Sequence, residues 1–348
     1  MRRVWAILLG LAATAMAAAM ATTARAEVPV PPPVAVVVDG RLPVGGGVLP
    51  VFVSQDWSQP LPAIRRAVIV VHGYTRNAAD YARTVLGLAP AGDTLVVAPQ
   101  FLAPEDIAAH RLPDAILRWE RGLWAGGNPA EGPAPLSAFD GFDAILARLA
   151  DRRVLPNLTQ IVLAGFSAGG QVVQRYAIVG RGEAALGPAA RLRYVVGSPS
   201  SFTYFGDERP RPDGSLAPFA GAAACPGFDR WRYGFAGDLP PYVAAAAAGG
   251  VPALERRYAA RELVYLVGGN DTDPNHRYLD KSCAGEAQGA TRLARTLFFV
   301  AAMRARDGAG LDQRVAVVEG AAHNEARVFG SPCGRAALFD EAGCAWGR

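Results

Sequence analysis

Short apolar runs rich in β-branched residues recur along the chain at Val34–Val38, Pro50–Val53, Ala67–His72, Thr94–Ala98, Gln160–Ala164, Leu192–Gly197, Leu263–Gly268 and Arg314–Glu319. Several are apolar throughout, the pattern of parallel strands covered on both faces. Between them, Asn77–Leu88, Ser137–Ala150, Ala168–Val179 and Gln288–Arg304 place apolar residues three and four apart, which predicts amphipathic helices. Ser137 followed by Asp140 forms a helix-start pattern, with Asp where Glu or Gln is more usual. The alternation predicts an α/β domain with a mostly parallel central sheet of about eight strands flanked by helices.

One stretch breaks this rhythm. Residues Pro199–Ala260 are rich in Pro, Gly and aromatic side chains. They read as an insertion over the C-terminal edge of the sheet, where such folds bind ligands, with a decoration remote from substrate as the plainer alternative. At the start of the chain, Arg2 and Arg3 precede an apolar run from Val4 to Ala21 and the small-x-small sequence Ala24-Arg25-Ala26. That is the pattern of an export signal covering residues 1–26, leaving residues 27–348 as one domain and implying a periplasmic or secreted protein. A retained membrane anchor is the rival reading; the high Ala content and the cleavage pattern favour removal. No later run approaches the ~20 apolar residues of a bilayer span.

Composition narrows the classes. At 348 residues, with 51% hydrophobic and 19% charged positions, the chain has a globular balance that excludes disorder and collagen. The formal charge of +4 suggests an anionic partner at first sight, but Arg2, Arg3 and Arg25 of the acid-free leader supply three of those charges. A nucleic-acid partner therefore loses its electrostatic basis. Export also makes the four cysteines readable as disulfides. Of the three possible pairings, Cys333 with Cys344 closes a short C-terminal loop and Cys225 with Cys283 pins the insertion to the body. Zinc ligation is disfavoured, because no cysteine pair has ligand spacing and the four histidines are scattered.

The strongest chemical signal is Gly165-Phe166-Ser167-Ala168-Gly169, a G-x-S-x-G after a buried strand and before a helical pattern. A sharp strand-to-helix turn holds such a serine in a strained backbone conformation, and Gly165 and Gly169 leave room for it. The Ala168 amide then sits at a helix N-terminus, where it can meet an oxyanion. Serine needs a base oriented by an acid. His323, on a loop after the strand Arg314–Glu319, is the candidate base. His72 reads as structural, ordering the loop after its strand, and His110 and His276 have no comparable context. Asp271 follows the strand Leu263–Gly268 and is the candidate acid, with Asp273 as its rival. The stretch Asp271–Asn275 also mimics a calcium loop, but His276 replaces the required Gly and Ser282 the terminal Glu. Glycosylation sequons at Asn157 and Asn270 are read as chance matches.

The chain order Ser167, Asp271, His323 and the G-x-S-x-G turn resemble the α/β-hydrolase superfamily over Ala67–Phe329. Val70-Val71-His72-Gly73-Tyr74 looks like the His-Gly stretch that ends the third strand in that fold. The resemblance implies the Tyr74 amide as a second oxyanion donor beside Ala168, with Thr75 as the alternative; the three-glycine run of some lipases is missing. The Gly165–Gln171 and Asp271–Arg277 stretches are similar to exported bacterial hydrolases and, more distantly, to secreted polyester depolymerases and feruloyl esterases. The expected activity is hydrolysis of a small or polymeric carboxylic ester through an acyl-enzyme. A serine peptidase and a non-catalytic binding protein on the same scaffold are the alternatives. Trp119, Trp124, Trp231 and Tyr233 are candidates for an acyl pocket or, more commonly, for the core. No organic cofactor is implied, since neither a P-loop nor a Rossmann glycine motif occurs.

Overall fold

The computed structural model describes residues 29–211, 213–307 and 313–347. The leader and its cleavage pattern lie outside them. Among the described residues, ten strands run as β1 (Gly40–Val44), β2 (Gly47–Val53), β3 (Arg66–Val71), β4 (Thr94–Pro99), β5 (Gln160–Phe166), β6 (Arg191–Gly197), β7 (Glu208–Pro210), β8 (Leu216–Pro218), β9 (Glu262–Gly268) and β10 (Gln313–Val318). Eight form one sheet in the order β1-β2-β4-β3-β5-β6-β9-β10, while β7 and β8 pair separately. From β4 to β10 neighbouring strands are parallel; β2 runs antiparallel to both β1 and β4.

The sheet is covered on both sides, and the continuous apolar runs follow from that. In β3, Ala67, Ile69 and Val71 enter one core with side chains of α3 (Ala138–Leu149), α4 (Ala168–Val179), α6 (Val251–Ala259) and α8 (Arg292–Asp307). Val68 and Val70 enter the other, with α1 (Ala78–Leu88), α9 (Glu325–Gly330) and α10 (Pro332–Phe339). Every residue of β5 and of α4 is buried, so period-two alternation has no solvent face to mark. The start of α3 is held as the sequence suggests: Phe139 N donates to Ser137 Oγ at 3.1 Å and Ser137 N donates to Asp140 Oδ2 at 2.8 Å.

Two sequence expectations change. Val34–Val38 is not a strand: Val34 N donates to Asp106 Oδ1 at 2.8 Å and Val38 N to Gln100 Oε1 at 2.9 Å, so side chains satisfy its backbone instead of a neighbouring strand. The unpredicted β1 contains Arg41 and Pro43, which an edge strand tolerates. It reaches β2 through Gly45, whose φ of +51° suits a tight turn. The short helices α2 (Pro104–His110), α5 (Pro241–Ala246) and α7 (Cys283–Glu286) are also unpredicted, because two turns or fewer carry no periodicity.

Disulfides join Cys225 to Cys283 and Cys333 to Cys344, with Cα atoms 5.8 Å and 4.5 Å apart. The first ties the β7–β8 region to α7. Among the described residues no helix is long and apolar enough to cross a membrane.

A buried ion pair fastens the loop after β3. Arg76, at φ +60°, donates through Nε to Asp106 Oδ2 at 2.6 Å and through Nη2 to Asp106 Oδ1 at 3.0 Å. Asp106 also accepts from Ala103 N at 2.7 Å as well as from Val34 N. Removing one partner of such a pair leaves an uncompensated buried charge. Asp106→Ala is expected to cost about 3–5 kcal/mol of unfolding free energy, measured by urea denaturation; a loss below about 1 kcal/mol would contradict this role.

Candidate active site

The strands β5, β9 and β10 run in the same direction, so the loops at their C-terminal ends open on one edge of the sheet. Ser167 follows β5 directly and occupies φ +60°, ψ −119°, the strained turn expected before α4. Its amide donates to Gly197 O on β6 at 2.9 Å. A Cβ on Gly165 would stand 2.2 Å from Gly169 O, and one on Gly169 would stand 2.3 Å from Val71 O and 2.6 Å from His72 O. Neither backbone contact admits a side chain. No side chain caps α4, which leaves the Ala168 amide at the helix N-terminus beside Ser167.

The loops after β9 and β10 are stitched together. Gly269 N donates to Val318 O and Asn270 N to Ala321 O, both at 2.8 Å. This brings Asp271 to His323, whose Nδ1 donates to Asp271 Oδ2 at 2.8 Å, so that Nε2 is the acceptor nitrogen. Asp273, the rival acid, is exposed and accepts from Asn275 N. The buried Arg292 places Nη1 3.6 Å from Asp271 Oδ1. Burial raises the Asp271 pKa, but the His323 hydrogen bond and charge and the Arg292 charge outweigh it and hold the carboxyl below its ordinary 3.8. Burial lowers the His323 pKa below 6.5; the Asp271 bond opposes that and the Arg292 charge adds to it.

The Phe166 ring lies 4.8 Å from the His323 ring, so the imidazole rests against the residue preceding Ser167. Ser167 Oγ and His323 share no hydrogen bond, and the side-chain partner of the imidazole is Asp271. Tyr74 and Ala168 line a cleft of about 120 Å³ together with Ser167. A Cβ on Gly73 would stand 3.7 Å from the Ser167 Cβ, which places the loop after β3 against the serine. Thr75 does not line the cleft; its hydroxyl donates to Asn77 Oδ1 at 2.8 Å.

Other histidines divide by their partners. Buried His72 donates from Nδ1 to Gly73 O at 2.8 Å and accepts from Phe101 N at 3.0 Å, tying the ends of β3 and β4 together; burial pushes its pKa down to about 4. His276 belongs to the site, which its sequence context does not signal. Its ring is 5.0 Å from that of His323, and its Nδ1 accepts from Tyr278 N at 3.2 Å and Arg292 Nη2 at 3.3 Å. Burial and the Arg292 charge lower its pKa to about 4, so it is neutral at ordinary pH.

Trp119 and Trp124 are core side chains. Trp231 donates to Gly126 O at 2.7 Å, and Tyr233 donates to Asp280 Oδ2 at 2.7 Å. The cleft wall instead combines the polar and charged side chains of Arg121, Gln171, Arg232 and Asp280 with apolar surface from Ala125 and Tyr278. Arg121, Arg232, Asp280 and Arg292 stand in no motif, and the sequence offers no signal for them. Among the described residues no cluster of three His, Cys, Asp or Glu is arranged to hold a metal ion. The groups at hand suit proton transfer and stabilisation of negative charge.

No family model and no curated protein matches the chain. Solved structures do. Poly(aspartic acid) hydrolase-1 from Sphingomonas sp. KT-1 superposes with a TM-score of 0.56 at 21% identity, covering 86% of this chain and 96% of its own. The poly(3-hydroxybutyrate) depolymerase LpqC from Bordetella parapertussis gives 0.55 at 22% identity, covering 85% of each chain. With its largely parallel eight-stranded sheet and the turn at Ser167, the chain has the α/β-hydrolase fold.

Proposed function

We propose that the chain is an exported serine hydrolase that cleaves carboxylic esters. The observation that carries the reading is the Asp271–His323 hydrogen bond on the edge of the sheet where the strained turn presents Ser167. Ser167 Oγ attacks the ester carbonyl while His323 Nε2 takes its proton, and Asp271 holds the imidazole by its Nδ1–H. The amides of Ala168 and Tyr74 bind the oxyanion. His323 then returns the proton to the departing alkoxide, leaving an acyl group on Ser167. Water, deprotonated by the same nitrogen, attacks that acyl group; the acid departs and Ser167 recovers its proton.

The likeness to a poly(3-hydroxybutyrate) depolymerase favours an ester bond, at the level of fold analogy. The export pattern of residues 1–26 and the two disulfides agree with an oxidising compartment. Residues 199–260 act as an insertion over the site, since Ser200 and Arg232 belong to the wall of the cleft.

Replacing the nucleophile of such a triad costs several orders of magnitude. Ser167→Ala is expected to lower kcat for p-nitrophenyl acetate by roughly 10³-fold or more, with an unchanged thermal midpoint. Retained turnover in the folded variant overturns the assignment. The base works only when neutral, and its pKa lies below 6.5, so kcat/KM is expected to hold above pH 6.5 and to fall at lower pH as His323 gains a proton. Arg292→Gln removes a charge that opposes that proton and should move the acid limb to higher pH. A limb at or above pH 6.5 in the parent enzyme, or no movement in the variant, contradicts the arrangement.

A further inference from the structure

The charge around the cleft is lopsided. Arg121 and Arg232 line it, and Asp280 is the carboxylate that lines it with them. Asp280 is already engaged: its Oδ2 accepts from Tyr233 at 2.7 Å and its Oδ1 from Ser282 N at 3.0 Å, while Arg232 Nη2 stands 3.7 Å off, beyond hydrogen-bond reach. Among the described residues Arg121 makes no side-chain hydrogen bond and no ion pair, while Arg232 has the Tyr233 side chain and the Asp280 charge beside it. Both lie close enough to favour the ionised form of the Tyr74 phenol, although burial outweighs them.

The floor beneath carries more positive charge. Arg175 is fully buried, and its acceptors are all neutral: Ala125 O at 2.7 Å, Gln171 Oε1 at 3.1 Å and Ser201 Oγ at 3.0 Å. Its Nε has no partner. Ala125 and Gln171 themselves line the cleft. Arg295, also buried, donates to Gly289 O at 2.8 Å and to Ser200 O at 2.5 Å, and its Nη2 has no partner. Buried guanidinium groups are ordinarily matched by carboxylates, because an unmatched charge in low dielectric is costly. Two buried arginines below and two on the wall, around the one committed carboxylate that lines the cleft, set up a positive potential focused on the space above Ser167.

We propose that this cleft selects anionic substrates: esters that carry a carboxylate on the acyl or the alcohol part, gripped by Arg232 and Arg121 while the ester carbonyl lies on Ser167. The proposal rests on the hydrolase reading and names its substrate class. The planar fork of an arginine binds a carboxylate through two parallel N–H donors, which a neutral ester of the same size cannot engage. Arg175 and Arg295 act from below through the field, without touching the ligand.

The test uses two matched pairs followed by proton release: monomethyl glutarate against methyl pentanoate, and acetoxyacetate against ethyl acetate. The wild-type enzyme is expected to favour the anionic member of at least one pair by about tenfold or more in kcat/KM, the scale of one hydrogen bond to a charged group, and to lose that preference in high salt. Arg232→Gln and Arg121→Gln should each cut the ratio of anionic to neutral rates by about threefold or more, with Arg232→Lys between them and the wild type. Equal or reversed preference in both pairs overturns the proposal, as does an unchanged ratio in folded variants. Calorimetry with glutarate reads the cleft even if neither ester is cleaved, an outcome that would sink the hydrolase reading alone. Binding that is lost in the Arg121→Gln/Arg232→Gln double variant supports the anion site, and absence of binding to the wild type overturns it.

Discussion

The contact of α4 with the ends of β3 and β6 is closer than any side chain allows, and the rest of the site is arranged around it. Gly165, Gly169 and Gly170 each face a backbone oxygen that a Cβ would meet at 2.2–2.4 Å. Glycine at these positions lets the buried helix seat its N-terminus on the sheet, and the chain can turn there only by holding Ser167 at positive φ. One local constraint thereby yields an aimed hydroxyl, a free helix-start amide at Ala168 and contact with the Gly73–Tyr74 loop. That loop is held in turn by the His72 bridge to Phe101 and the Arg76–Asp106 pair.

A second layer of the site is electrostatic. Asp271 is kept ionised by His323 and Arg292, and it fixes the tautomer that leaves His323 Nε2 able to accept a proton. Burial and the Arg292 charge lower the His323 pKa and so favour the neutral imidazole. The same arginine engages His276, so Arg292 couples the carboxylate to two imidazoles. Its own pKa falls to about 10 through burial, which leaves it cationic at working pH.

Local grammar made much of this legible. Runs buried on both faces marked β3, β4, β5, β6 and β9, and a similar apolar run marked the edge strand β10; G-x-S-x-G marked the turn; positions just after β9 and β10 marked Asp271 and His323. Failure came where meaning depends on what the chain meets in space. Val34–Val38 has strand composition, yet Asp106 and Gln100 claim its amides. Trp119 and Trp124 are large enough for a pocket wall, and packing against Phe101 takes them into the core. Arg121, Arg232 and Arg292 look like any other arginines in an arginine-rich chain. Only the fold gathers them at one edge, Arg292 beside Asp271 and Arg121 and Arg232 on the wall of the cleft.

The most direct test of the account is mass spectrometry of the folded protein after exposure to a fluorophosphonate, which reacts with a serine only where a base and an oxyanion site activate it. The account predicts a single phosphonyl adduct on the peptide containing Ser167, abolished when the protein is unfolded beforehand. An unmodified folded protein, or an adduct on a different serine such as Ser198 or Ser200, would contradict it.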